Sequence, residues 1–291
     1  MLLRVHKLYV VHSSHPCATV MKALELKGIP YRTVEWLMPT QPVMQRLRFG
    51  TRTVPALKLD GGERITGSRA ILRRLDELVA DPPLLPADAD ARAAALDAER
   101  WGDEVLQPAV RRIVWAALKR RPDAIPSYQQ ASRLPRLPRP LVRLAAPAVI
   151  AIERRLNRAS DEAVRADLRA LPEQLDRIDG WILEGVLGGA KQPNAADLQI
   201  AASLRLLSTI GDVRPLLDRR PCEALATALF AVLVDDERLH PAILRALAGS
   251  AFDVCGELDP AAAAGWLRRL RLAPGTPDLP ALRVRLGVLP G

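Results

Sequence analysis

The chain has 291 residues and a formal net charge of +9, with 49% hydrophobic and 26% charged side chains. That is enough apolar material for more than one core and too much for a disordered polymer. Three cysteines (Cys17, Cys222, Cys255) are too few and too scattered for a disulfide framework, so a reducing, cytoplasmic setting is expected. The longest apolar stretch, residues 144–152, is short and contains Pro147, against the ~20 residues a bilayer span needs. No charged segment followed by an apolar run opens the chain, so no signal peptide is expected.

Residues 2–11 contain the β-rich run from Lys7 to Val11 and predict a strand. Residues 16–27 place Cys17, Val20, Met21 and Leu24 at helical intervals, with Pro16 near the start and Gly28 just past the end, and predict a helix. Residues 29–36 predict a second strand, and residues 39–49 a short helix or irregular segment. A third strand over 54–59, a turn at Gly61 and Gly62, and a fourth strand over 63–66 form a hairpin. Residues 67–78 close the unit as a helix with Ile71, Leu72, Leu75 and Leu78 on one face. The order βαβ-α-ββα joins a right-handed parallel crossover to an antiparallel hairpin, which is the arrangement of a thioredoxin-like α+β domain.

Residues 81–88 form a proline-rich linker, and beyond it strand signals stop. A long helix over 87–119, kinked near Pro108, leads to a proline-interrupted loop over 121–140. Helices are predicted over 141–157 (bent near Pro147), 160–170, 172–187, 194–211 and 219–234, then two short ones near 240–249 and 259–270 before a Pro/Gly-rich tail. The domains are therefore residues 1–80, an all-helical domain over 89–235, and a C-terminal extension over 236–291. Residues 111–158 hold 12 basic and 2 acidic side chains. Such a block attracts anions or is merely a solvated arginine-rich surface. Only Trp115 and Tyr128 are aromatic within it, too few to stack bases, and no nucleic acid is expected.

Three short segments carry chemistry. Ser14 and Cys17 lie at the turn into the first helix, whose N-terminus favours a bound thiolate. Ser14 either donates its hydroxyl to a bound sulfur or caps the helix. Cys17 is either a nucleophile with a lowered pKa or a small buried side chain, the latter being preferred. Pro55, ahead of a strand that must pair, predicts a cis Val54–Pro55 bond and a Val54 backbone turned to a peptide-like ligand. Ser68 opens the closing helix as a carboxylate site or an ordinary cap. His12, His15 and Cys17 have a metal-like spacing without an evident fourth ligand, and no metal is expected.

Taken in order, these segments resemble the glutathione S-transferase superfamily, as does Asn194 with Asp197 at the place of that family's helical capping box. The resemblance covers about residues 1–235. It implies a thioredoxin-like domain followed by an all-α domain, and transfer of glutathione or a related low-molecular-weight thiol to an electrophile, as in detoxification. Ser14 would be the catalytic side chain; Val54, Pro55, Ser68 and Arg52 would hold the thiol. No further cofactor is implied, and a homodimer is left open. One departure supports an alternative, a non-catalytic module of the same fold that binds protein, lipid or a small ligand: the family's acidic residue before the serine is replaced by Gly67, with Arg69 following. The first cysteine of a dithiol motif is replaced by Ser14, which argues against a disulfide reductase.

On the first long helix Trp101, Arg112 and Trp115 recur near helical intervals and offer a second-substrate pocket, or else core packing. Over residues 133–155 arginines alternate with prolines and leucines before an uncharged stretch. That pattern predicts weak, salt-sensitive association with anionic membrane surfaces, unless the helix is buried and the arginines solvate its lead-in.

Overall fold

The computed structural model describes residues 5–37, 40–129, 132–135, 138–189 and 191–230. The first strand, β1 (His6–Val10), continues through α1 (His15–Leu26) into the parallel strand β2 (Tyr31–Glu35). After α2 (Gln41–Phe49), the hairpin β3 (Ala56–Lys58) and β4 (Arg64–Thr66) returns to the other side of β1, and α3 (Ser68–Leu78) closes the unit. The sheet order is β2-β1-β3-β4, with β3 antiparallel to both neighbours. Strand alternation decides the two faces. Leu8 and Val10 enter the main core with Val20, Leu24, Ile71, Leu72 and Leu75, whereas Tyr9 packs on Trp36 and edge-on to Phe49 of α2.

Two X–Pro bonds are cis: Val54–Pro55 ahead of β3, as the sequence predicts, and Asp81–Pro82 at the start of the linker, for which the sequence carries no such signal. Lys27 at the end of α1 is buried and secures this linker. Its ammonium donates to the carbonyls of Val79 (2.5 Å) and Pro82 (2.8 Å) and lies 2.8 Å from the Asp76 carboxylate. Asp76 in turn accepts from the Leu84 N–H at 2.9 Å.

The helical region opens with α4 (Ala89–Trp101) and α5 (Gln107–Arg120), joined without a break by a π-helical turn over Gly102–Leu106. Pro108 just beyond it has no N–H to donate backward, and the widened turn takes up the mismatch that the sequence announces as a kink. A 3-10 segment, Pro122–Gln129, fills part of the expected loop, and α6 (Arg139–Leu156) runs through Pro147. The two helices expected over 160–170 and 172–187 are one, α7 (Asp161–Leu183), with Pro172 inside it. Val164, Leu171, Leu175 and Ile178 are buried along one face, and packing of that face outweighs the ~3 kcal/mol an interior proline costs.

The central helix α8 (Ala195–Leu207) ends earlier than expected, and α9 (Arg214–Leu217) and α10 (Pro221–Leu229) follow it. The expected helices near 240–249 and 259–270 lie outside the described residues. Thr19 of α1 donates to the Leu198 carbonyl of α8 at 3.2 Å, so the two halves meet along these helices and share one core. Among the described residues no helix is long and apolar enough to cross a membrane.

Candidate functional site

Sheet register brings the three predicted segments to one end of the sheet. Tyr9 of β1 pairs with Ala56, and Ala56 pairs with Thr66 of β4. The turn after β1, the Val54–Pro55 step before β3 and the Gly67–Ser68 step after β4 therefore stand side by side. The Gly67 N–H donates to the Pro55 carbonyl at 3.0 Å and ties the last two together. Sheet pairing of β3 starts at Ala56 and leaves Val54 outside the ladder.

Two buried amides that sequence reading missed support this edge. Gln41 Nε2 donates to the Arg52 carbonyl at 2.7 Å, and Gln45 Nε2 to the Thr53 carbonyl at 3.1 Å. Gln45 Oε1 accepts from the Trp36 indole N–H at 2.8 Å, which fixes the amide's orientation. Their i, i+4 spacing on α2 is the only trace in the sequence, and it does not name the carbonyls they hold. The Arg52 side chain is exposed, and Ser68 is buried in the first turn of α3.

At the α1 turn, Ser14 is the N-cap residue, but its side chain makes no capping bond. Its hydroxyl lies close enough to Cys17 to draw that thiol's pKa down. Cys17 is fully buried, and burial pushes its thiol up to about 11, against the smaller pull of the Ser14 and Val11 hydrogen bonds. That corrects the reactive-thiol reading: a thiol without solvent access and with a raised pKa is protonated and shielded at neutral pH. His15 is buried too, its Nδ1 3.2 Å from Ser203 Oγ, and burial holds its pKa well below the ordinary value. Among the described residues no three His, Cys, Asp or Glu side chains are grouped as metal ligands.

Gly67 has φ +87°, a left-handed conformation that a residue with a side chain adopts only under strain. The next cation, Arg69, turns to the helical domain, 3.3 Å from Glu104 and 3.9 Å from the buried Glu99, which also pairs with Arg73. Burial raises the Glu99 carboxyl, and Arg73 and Arg69 oppose it.

Of the two alternatives open for the second-substrate residues, pocket or packing, the structure shows packing contacts. Arg112 donates from Nε and Nη2 to the two carboxylate oxygens of Asp167 in α7, at 2.6 and 2.7 Å. Trp101 packs edge-on against Trp181, with the Arg177 guanidinium over both rings. Trp115 is half-buried against the core. All three serve helix packing around α7 or the core, which the helical spacing alone left undecided. The capping box of α8 is present: Asn194 accepts from the Ala196 and Asp197 N–H groups, and Asp197 accepts from the Asn194 N–H at 2.8 Å. Asp197 also takes the N–H groups of Gly188 and Gly189, at 2.8 and 3.0 Å.

Residues 8–83 match the family model described as the glutathione S-transferase N-terminal domain. Among solved structures, FzlA from C. crescentus is 21% identical with a TM-score of 0.54, over 83% of this chain and 92% of that one. A glutathione S-transferase from Rhodospirillum rubrum F11 is 20% identical with a TM-score of 0.50, over 82% of this chain and 91% of that one. No curated protein matches the chain. Residues 8–83 thus match the glutathione S-transferase N-terminal domain, and the chain shares the fold of these structures, a thioredoxin-like domain followed by an all-α domain.

Proposed function

We propose that the sheet edge binds glutathione or a related low-molecular-weight thiol and transfers its sulfur to an electrophile. The observation that carries this reading is the register that sets the Ser14 turn, the Val54 backbone and the α3 N-terminus beside one another. A thiol with a peptide-like body needs three anchors: donors for its sulfur, a backbone edge, and a positive pole for a carboxylate. The N-terminal end of α1 supplies positive potential for the sulfur, Val54 the edge, and the first turn of α3 with Ser68 the carboxylate site. The bound thiol gives its proton to solvent, the thiolate forms the new carbon–sulfur bond, and the electrophile's leaving group departs with its bonding pair. Ser14 donates to the thiolate after rotating its hydroxyl away from Cys17, a turn about a single side-chain bond.

A second reading, a binding module without transfer, is favoured by the resting contact of Ser14 with Cys17, by Gly67, and by the pairing of Arg112 with Asp167. Retention on a glutathione resin, paired with conjugation of a chloronitrobenzene, separates the two. Transfer predicts retention, measurable conjugation, and at least a ten-fold loss of conjugation in Ser14→Ala with retention kept. Retention without conjugation, or neither retention nor conjugation, overturns transfer and selects the binding module, for the thiol in the first case and for a different ligand in the second.

A further inference from the structure

The phase of α6 is set by its buried side. Ala146, Ile150 and Glu153 face inward at i, i+4 and i+7, toward α5. The opposite side carries no charge through most of its length: Leu141 is 53% exposed, Leu144 80%, Ile152 46% and Leu156 49%, with exposed alanines between them. This stripe runs about 22 Å along the helix at 1.5 Å per residue, and no described side chain covers it. Arg143 flanks the stripe, and Arg155 interrupts it near its C-terminal end; both are exposed. The neighbouring Arg154 is paired with Asp161 at 2.6 Å. Asp123, which feels Arg143 electrostatically, is already bonded to Arg121 at 3.1 Å. Glu153, the acidic residue of the helix, points inward and is bonded to Asn157.

We propose that this face of α6 docks on an anionic lipid surface, leucines in the acyl boundary and guanidinium groups among the headgroups. The occupant follows from charge and shape. The exposed ionic side chains described along α6, Arg143 and Arg155, are cations, and its carboxylate, Glu153, points inward, so the surface that complements this face is negative. The stripe is a convex ridge, which a fluid surface accommodates without a matching groove, and an apolar face edged by arginine is the pattern of a helix lying in a membrane interface. Nucleic acid would meet leucines where it needs stacking aromatics or hydrogen-bond donors. This proposal is independent of thiol binding, which lies at the sheet edge.

The full chain is sedimented with vesicles of phosphatidylglycerol and phosphatidylcholine, or of phosphatidylcholine alone, at low and high salt. Docking predicts at least five-fold more bound protein on the anionic vesicles at low salt, lost at high salt. It also predicts at least a five-fold loss for Leu144→Glu and for the double variant Arg143→Ala and Arg155→Ala, with unchanged melting temperatures. Protein left in the supernatant, equal pelleting with neutral vesicles, or wild-type binding by Leu144→Glu overturns it. So does a wild-type dimer that Leu144→Glu dissociates, or a lowered melting temperature of that variant, because either shows the face is covered by protein.

Discussion

On α1, two buried titratable side chains set opposite limits on stability. Cys17 holds its proton to about 11 against an ordinary value of 9.0. A raised folded pKa contributes stability that is complete below pH 9 and is lost as pH rises through 11, up to about 3 kcal/mol at 1.36 kcal/mol per unit. His15 is lowered by burial and by the Arg111 charge. Its contribution is complete above 6.5 and declines as pH falls below that, since the unfolded imidazole takes a proton the folded one refuses. Melting temperature against pH should show a plateau from about 7 to 9 with a fall on each side, and Cys17→Ala should flatten the alkaline fall. An alkaline limb identical in that variant would contradict the assignment. Asp197 is the costlier residue to lose. With its carboxylate gone, the N–H groups of Asn194, Gly188 and Gly189 lose their acceptor. Asp197→Ala should cost about 2–4 kcal/mol in denaturant titration, above a simple cap loss.

At the scale of elements, the junction of α4 and α5 depends on a missing side chain. A Cβ on Gly102 would come within 2.9 Å of Ile200 Cγ1 on the central helix and 3.4 Å of Gln199 Cγ. Ile200 is fully buried and cannot step aside. Gly102→Ala should therefore destabilise by about 1–3 kcal/mol even though alanine is the better helix former. A variant as stable as the parent would mean the crossing relaxes. The Arg112–Asp167 pair ties α5 to α7 in the same way. Arg112→Leu alone leaves a largely buried carboxylate unpaired, whereas Arg112→Leu with Asp167→Leu removes both charges and should recover most of the loss. If Arg112 instead held an anionic substrate, the double variant would regain stability but lose conjugating activity with anionic electrophiles. Structural pairing predicts that activity is kept.

Across the whole molecule, α1 is shared property. It packs on α3 and the sheet in one half and bonds to α8 in the other, through Thr19 to the Leu198 carbonyl and His15 to Ser203. Lys27 at its far end holds the linker at Val79 and Pro82. Two halves joined by one core should unfold together. Fluorescence, reporting on Trp36 and on Trp101, Trp115 and Trp181, should give the same midpoint as far-UV circular dichroism. Lys27→Met leaves two carbonyls and Asp76 without their cation and should separate those midpoints, or lower both together with a loss of about 2 kcal/mol or more in unfolding free energy. Coincident midpoints at the parent value would show that the clamp is dispensable.

Much of this was legible in local chemistry. Pro16 and Gly28 bracket α1, glycines mark the β3–β4 turn, and Asn194 with Asp197 announces α8 three residues apart. Such signals act between near neighbours, so the chain carries them wherever it folds, and with the element order they were enough for the thioredoxin-like domain and the helical one behind it. Partners far apart in the chain were not legible. Arg112 meets Asp167 across 55 positions, and Gln41 and Gln45 find the carbonyls of Arg52 and Thr53 in the next loop. Pro172 stays inside one helix because its buried face packs, and α6 shows leucines outward because its phase is locked by Ala146, Ile150 and Glu153. Sequence by itself determined the order of strands and helices and the ends marked by a cap, a proline or a glycine, because those signals are local; only packing, which sets the rotation of each element against the others, decided which side chains face solvent, core or one another, and whether a helix runs on through a proline.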